Sequence, residues 1–279
     1  MAPTVRDSES QSRHLQRLCA KTMAILTRVD LNDECSANQL CAGTKAGVEG
    51  AVHGISQLFE NNNCEGVLLM DASNAFNALS RPLALWNARI HWPRCARFLH
   101  NTYKGYPMII FRQSEKVILS QEGTTQGDPL GMYMYAVGTL PLVRKLSHPR
   151  WKQNWYADDA ACGGRLDNIK IWLERLKEEG PKCGYFPEPE KSFLVVRPGM
   201  ETRAAEVFQG TGLKIALSHR FLGGFLGSAN ENSRYVKEKV DTWTKYVNSF
   251  ANVQQGVPRQ FTWLSQNHFK RSGVFFIGW

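Results

Sequence analysis

The sequence predicts an α+β fold, a small sheet carrying packed helices, from three patterns. The apolar run Val67-Leu68-Leu69-Met70 is too short for a buried helix and is bounded by Gly66 and Asp71, so it reads as a central buried strand. Apolar residues recur at helical spacing elsewhere, as in Val48, Val52, Ile55 and Phe59. Asn154 to Tyr156 and Ala160 to Cys162 bracket an acidic pair as two short strands of a hairpin. The resulting order is strand, helices, strand hairpin, helix, strand.

Taken in order, the first dozen residues are polar and expected to be loose. Leu15, Leu18, Cys19, Thr22, Ile25, Leu26 and Val29 then recur at helical spacing among Arg13, Arg17, Lys21 and Arg28, which predicts an amphipathic helix with a basic outer face. Gln39 to Gly50, rich in small residues, leads into the Val48 to Phe59 helix, and Asn61-Asn62-Asn63 turns the chain into the central strand. Ser80 can cap a helix with Pro82 in its first turn, and a second helix starts near Pro93. Met108 to Phe111 and Val117 to Ser120 flank a polar turn and predict a hairpin.

From Gly127 the run Met132 to Val137 predicts a long, mostly buried helix. Asp158 and Asp159 are then expected in a hairpin turn that projects both carboxylates from the sheet edge. A helix capped from Asp167 buries Ile169, Trp172, Leu173 and Leu176 and ends at Gly180-Pro181. Phe193 to Val196 and Phe221 to Leu226 read as strands, and Asn230 to Asn252 and Val257 to Lys270 as exposed helices.

A chain of 279 residues with 43% hydrophobic and 21% charged residues can bury a sizeable core in one or two domains. The net charge of +9 favours a polyanionic partner, although many basic enzymes have none. Seven widely spaced cysteines with no C-x-x-C imply free thiols in a reducing compartment rather than disulfides or zinc. His91 and Cys95 share a helical face but lack further ligands nearby, so they are expected to be a packed or exposed pair rather than a metal site. No leader-like n-region and h-region opens the chain and no apolar run reaches membrane length, from which a soluble, intracellular protein with no membrane partner is expected.

The acid Asp71 at the end of the apolar strand and the pair in Tyr156-Ala157-Asp158-Asp159 fit one chemical device. Carboxylates far apart in sequence can be brought together by adjacent strands, where they neutralise two divalent cations that would otherwise repel each other. Read singly, Asp71 is a turn former and Asp158-Asp159 a solvated hairpin tip. Only their combination suggests two-metal phosphoryl transfer.

Asp71-Ala72-Ser73-Asn74-Ala75-Phe76-Asn77 resembles motif A of reverse transcriptases, and the resemblance continues in order. Gln126-Gly127-Asp128-Pro129 looks like motif B, Tyr156 to Asp159 like motif C, Gly184 to Lys191 like motif D, and Phe221-Leu222-Gly223-Gly224 like motif E. Gly43-Thr44-Lys45-Ala46-Gly47 is similar to the fingers motif that precedes them. The match spans residues 39–227, and its form is closer to non-LTR and group II-type elements than to retroviral enzymes.

This resemblance implies a right-hand polymerase palm: residues 1–65 as partial fingers, 66–227 as palm with a fingers insertion at 82–121, and 228–279 as a partial helical thumb. It implies an RNA-directed DNA polymerase that takes deoxynucleoside triphosphates, an RNA template and a DNA primer or RNA-DNA hybrid. Asp71, Asp158 and Asp159, with the carbonyl of Ala72, would hold two Mg2+ ions, or Mn2+, about 4 Å apart. Phe76 would close on the sugar and exclude a 2′-hydroxyl. RNA-directed RNA polymerases usually carry an acid there, and a Thr and an Asn where this chain has Gly131 and Tyr135.

Gln126 and Gly127 would let template and nucleotide approach the backbone. Lys45 would clamp the triphosphate, Lys191 would act as general acid toward pyrophosphate, and Gly223 and Gly224 would turn a strand against the primer. Outside that context Phe76 is a core residue, Asp128-Pro129 a helix start, Lys45 and Lys191 solvated charges, and Gly223-Gly224 an ordinary hairpin pair. Arg220, Lys237, Lys239, Lys245, Arg259, Lys270 and Arg271, with Trp243, Tyr246 and Trp263, suit a thumb that follows phosphates. Two other readings stay open: a degenerate module that binds nucleic acid without polymerising, and RNA-templated RNA synthesis.

Overall fold

The computed structural model describes residues 5–106, 108–110 and 117–254, which fall into two compact units divided between Leu217 and Ser218. The first unit opens with helix α1 (Val5–Cys35), a 3-10 turn (Ser36–Asn38) and α2 (Gly47–Glu60). Strand β1 (Gly66–Met70) is buried at every residue, as an apolar run without alternation requires when both faces of a sheet are covered. Helices α3 (Ala75–Ala78), α4 (Arg81–His91) and α5 (Pro93–Tyr103) follow, then the hairpin of β2 (Met108–Ile110) and β3 (Val117–Leu119). Pro82 and Pro93 lie in first turns, where a missing N–H costs no hydrogen bond.

Helix α6 (Gly131–Leu146) is buried along most of its length, and Gly138 brings it so close to α4 that an added Cβ would lie 3.0 Å from that of Ala84. Strands β4 (Trp151–Tyr156) and β5 (Asp159–Gly164), α7 (Leu166–Glu179), β6 (Phe193–Val196), α8 (Glu201–Val207) and β7 (Lys214–Ala216) complete the unit. The five-stranded sheet runs β4-β5-β1-β6-β7, with β1 antiparallel to both neighbours and only β6–β7 parallel. Asp71 thus directly follows β1 and Asp159 opens β5, two adjacent strands within the sheet.

Four expectations change. Helix α1 starts at Val5, and it buries Ala20, Ala24, Thr27, Leu31 and Cys35 rather than the stripe of Leu15, Leu18, Ile25, Leu26 and Val29. Leu15, Leu18, Ile25, Leu26 and Val29 stand 63%, 62%, 68%, 58% and 61% exposed. Small side chains let neighbouring helices come close, and the buried indole of Trp92 donates to the Thr27 carbonyl at 2.9 Å across that contact. Arg165, not Asp167, is the N-cap of α7, and α8 and β7 arise where no element was expected.

The second unit is described over residues 218–254. Phe221 to Leu226 is not one strand but parts of the hairpin of β8 (His219–Phe221) and β9 (Gly224–Leu226), turned by Leu222 and Gly223 at φ 48° and 82°. Two positive φ values in a two-residue loop match the right-handed twist of the flanking strands. Helix α9 (Ala229–Gln254) packs Tyr235 on Phe225, ring centroids 4.6 Å apart. The helix expected at Val257 to Lys270, with Arg259, Trp263, Lys270 and Arg271, lies outside the described residues. Among the described residues no helix is long and apolar enough to cross a membrane, and all seven cysteines are free thiols.

Candidate active site

The sheet brings the three acids to one end. Antiparallel pairing of β1 with β5 closes at Met70 opposite Ala160, so the next step in register sets Asp71 opposite Asp159 on the same face. Tyr156 pairs with Asp159 across β4–β5, leaving Ala157 and Asp158 as the two-residue turn. Asp158 therefore sits in the turn, while Asp159 is the first residue of β5. Burial raises the Asp158 carboxyl pKa, and the charge of Asp71 adds to it. Asp159 is pushed up to about 6, by burial first and then by Asp158 and Asp71. Among the described residues none of the three carboxylates makes an ion pair.

The acidic turn is strained and held. Ala157 adopts φ 54°, a left-handed conformation that costs a residue with a Cβ about 1–2 kcal/mol. The fully buried Gln39 grips it with one amide: the Ala157 N–H donates to Gln39 Oε1 at 2.8 Å, and Gln39 Nε2 donates to the Ala157 carbonyl at 3.0 Å. Leu40 N–H donates to the Trp155 carbonyl at 2.9 Å, extending the same edge. From the other side the buried Tyr185 hydroxyl donates to the Asp158 carbonyl at 3.0 Å. Sequence patterns missed Gln39 and Tyr185 because their partners lie 118 and 27 residues away.

The segment after α7 supports Asp71 in turn. Asp71 N–H donates to Ser192 Oγ at 3.0 Å, and its carbonyl accepts from Glu188 N–H at 2.9 Å. Ser73 N–H donates to the Phe186 carbonyl, so the bridge between Ala72 and Pro187 leaves the Ala72 carbonyl out of its hydrogen bonds. Lys191 is exposed and bound to Glu188 at 2.6 Å, an interaction that raises the lysine pKa and lowers the glutamate's. The charge of Asp71 also acts on Lys191.

Phe76 is half-buried and stacks on the fully buried Tyr135 of α6 at 4.5 Å between centroids. Its carbonyl accepts Thr124 N–H at 2.9 Å, and an added Cβ on Gly123 would come within 2.5 Å of this carbonyl and of the Asn77 Cα. That close approach needs glycine. The buried Arg81 holds the same loop, donating to the carbonyls of Ser120, Glu122 and Gly123 at 2.6, 2.6 and 3.0 Å. Tyr103 donates its hydroxyl to Asp128, whose other oxygen accepts Leu130 N–H at 2.9 Å. Gln126 and Gly127 lie exposed on the loop so fixed, Gly127 at φ 81° with open space around it.

Lys45 is exposed on the turn before α2. Gly223 and Gly224 belong to the second unit, at the β8–β9 turn. Phe76 and the loop before α6 are thus tied together, as are Ala157, Gln39 and α6. His91 pairs with Glu34 at 2.9 Å, and Cys95 is buried. Among the described residues no group of three or more His, Cys, Asp or Glu is arranged to hold a metal ion. The three carboxylates share a sheet end without being gathered to coordination.

No protein-family model matches the sequence, and neither does any curated protein. Among solved structures, an apo telomerase from Candida tropicalis truncated from its C-terminal domain matches with a TM-score of 0.54 at 12% identity, over 74% of this chain and 43% of that one. Telomerase from Candida albicans, in complex with a TWJ fragment of telomeric RNA, matches with a TM-score of 0.49 at 13% identity, over 81% of this chain and 41% of that one. The chain spans less than half the length of either. An antiparallel-dominated sheet with packed helices, matched to the first of these, gives this chain an α+β, palm-like fold.

Proposed function

We propose that the chain is the palm-bearing part of an RNA-directed DNA polymerase from a retroelement. The primer 3′-oxygen attacks the α-phosphorus of a deoxynucleoside triphosphate, forming one O–P bond as the bond to pyrophosphate breaks. The observation that carries this reading is that Asp71, directly after β1, and Asp158 and Asp159, at the start of β5, come to one end of adjacent strands, with no ion pair to any of them among the described residues.

Carboxylate oxygens are the donors that hard divalent cations take, and burial together with the neighbouring charge of Asp71 leaves Asp158 and Asp159 in need of positive charge. Asp71, Asp158, Asp159 and the Ala72 carbonyl would hold Mg2+ or Mn2+. When bound, two such ions supply a more acidic primer hydroxyl and charge neutralisation on the departing pyrophosphate. Phe76, backed by Tyr135, excludes a 2′-hydroxyl by bulk, which favours DNA over RNA synthesis. Gln126 and Gly127 give the template and nucleotide an open backbone. Lys191 exchanges Glu188 for phosphate oxygens before it protonates pyrophosphate, Lys45 meets the triphosphate, and Gly223-Gly224 lies along the primer.

A second reading is a module that binds nucleic acid without polymerising, favoured by the absence, among the described residues, of a group already gathered around a metal position. Primer extension on an RNA template with Mg2+ separates the two. Extension by the intact chain that is lost in Asp158→Asn supports the polymerase; template binding without extension supports the module.

A further inference from the structure

We infer that Gln39 is a positioning residue for the acidic turn, fixing through the backbone of Ala157 where Asp158 and Asp159 present their carboxylates; the inference rests on the polymerase reading of that turn. All the hydrogen-bonding groups of one buried amide are engaged. Oε1 accepts the Ala157 N–H, one Nε2 proton goes to the Ala157 carbonyl, and the other goes to Thr139 Oγ1 at 3.2 Å. Thr139 in turn donates to the Tyr135 carbonyl at 2.9 Å, within the helix whose Tyr135 backs Phe76. A single side chain thereby ties the turn that carries Asp158 and leads into Asp159 to the helix beneath the proposed nucleotide gate.

The pattern is selective for glutamine. Ala157 needs a donor and an acceptor at once, because its own N–H and C=O are turned away from the β4–β5 ladder in a two-residue loop. A primary amide presents both in one plane. Asparagine is one methylene too short for the same reach, and an apolar residue of the same length leaves both backbone groups buried and unpaired. The strain at φ 54° is then free to relax, and Asp158, next along the chain, moves with it.

The test uses Tb3+ as the probe, its luminescence excited through Trp155 and Tyr156 beside the acids, on the full chain without nucleic acid. The wild type should show binding that Asp158→Asn removes. Gln39→Met and Gln39→Asn should weaken that binding by about 10- to 100-fold, the usual effect of losing a group that orients metal ligands. RNA binding should be unchanged. In primer extension the same variants should lower kcat by a similar factor and leave KM for the deoxynucleotide nearly alone.

Adding Ala157→Gly to either variant should recover a large part of the loss, since glycine holds a positive φ without support; a residue that merely filled the core would not be rescued this way. Folded Gln39 variants with wild-type Tb3+ affinity would overturn the inference, as would wild-type Tb3+ binding insensitive to Asp158→Asn. Failure of both variants to fold even with Ala157→Gly would also overturn it, marking Gln39 as a general core residue. A wild type that binds Tb3+ through Asp158 but extends no primer would sink the polymerase reading and leave the turn assignment standing.

Discussion

Phe76 of α3 stacks on Tyr135 of α6 with ring centroids 4.5 Å apart and planes 30° from parallel, so the residue proposed to exclude a 2′-hydroxyl rests on a neighbouring helix. Phe76→Ala should admit ribonucleotides, and Tyr135→Ala should do so partially by letting Phe76 tilt into the space left behind. The second change should also destabilise by about 3–5 kcal/mol. Tyr135→Phe makes a useful control: its hydroxyl is buried with no partner, so removal should leave stability equal or higher. Ratios of ribonucleotide to deoxynucleotide incorporation, with thermal melts of each variant, check all three; unchanged selectivity in Phe76→Ala would remove it from the gate.

The acids give a pH dependence with a definite sign. Asp159 holds its proton up to about 6 in the fold against 3.8 for an ordinary aspartate, so between those values the folded chain binds more protons than the unfolded chain. Its contribution therefore turns destabilising as pH rises from about 4 to about 6 and stays so above. In chelator, Asp159→Asn should stabilise the protein at pH 7 on the order of 2 kcal/mol and lose that advantage near pH 4. Denaturant melts at the two pH values decide it, and an advantage that grows toward acid would contradict it.

Arg81 crosslinks three successive stretches of one loop through its guanidinium, and its own N–H donates to Glu122 Oε2 at 2.7 Å. Arg81→Lys cannot reproduce a planar fork and should cost about 2–4 kcal/mol, close to the cost of Arg81→Ala. Because that loop leads to Gln126-Gly127, template and deoxynucleotide affinity should fall while Tb3+ binding at the acids stays near wild type. Equal loss of both would mean that Arg81 holds the whole unit.

Template binding should weaken steeply with salt, as each neutralised phosphate releases counterions. Lys237 and Lys245 are exposed on α9, and removing both should lower the slope of log affinity against log salt by about 1–2. Binding titrations at several salt concentrations measure the slope directly. A slope indifferent to both lysines would take α9 out of the nucleic-acid surface.

Much of this was legible in the chain. An apolar run bounded by Gly66 and Asp71 could only be a buried strand, helical spacing in α2, α6 and α7 followed from their inward residues, and colinear motifs named Asp71, Phe76, Asp158 and Asp159. These are local properties, set by backbone periodicity and by which side chains water rejects. Periodicity fails where a helix has two apolar faces, and in α1 only packing selected Ala20 and Ala24 over Leu15 and Ile25.

The sequence by itself determined the buried strand before Asp71, the hairpin around Asp158 and Asp159, and the helices whose apolar residues repeat on one face. The tertiary structure alone decided that Asp71 comes to the same sheet end as Asp158 and Asp159, that Gln39 holds a strained Ala157 from 118 residues away, and that Tyr135 lies under Phe76. Hydrogen bonds and ring contacts between distant segments leave no periodic trace, because each depends on where the closed sheet delivers a single polar or aromatic group.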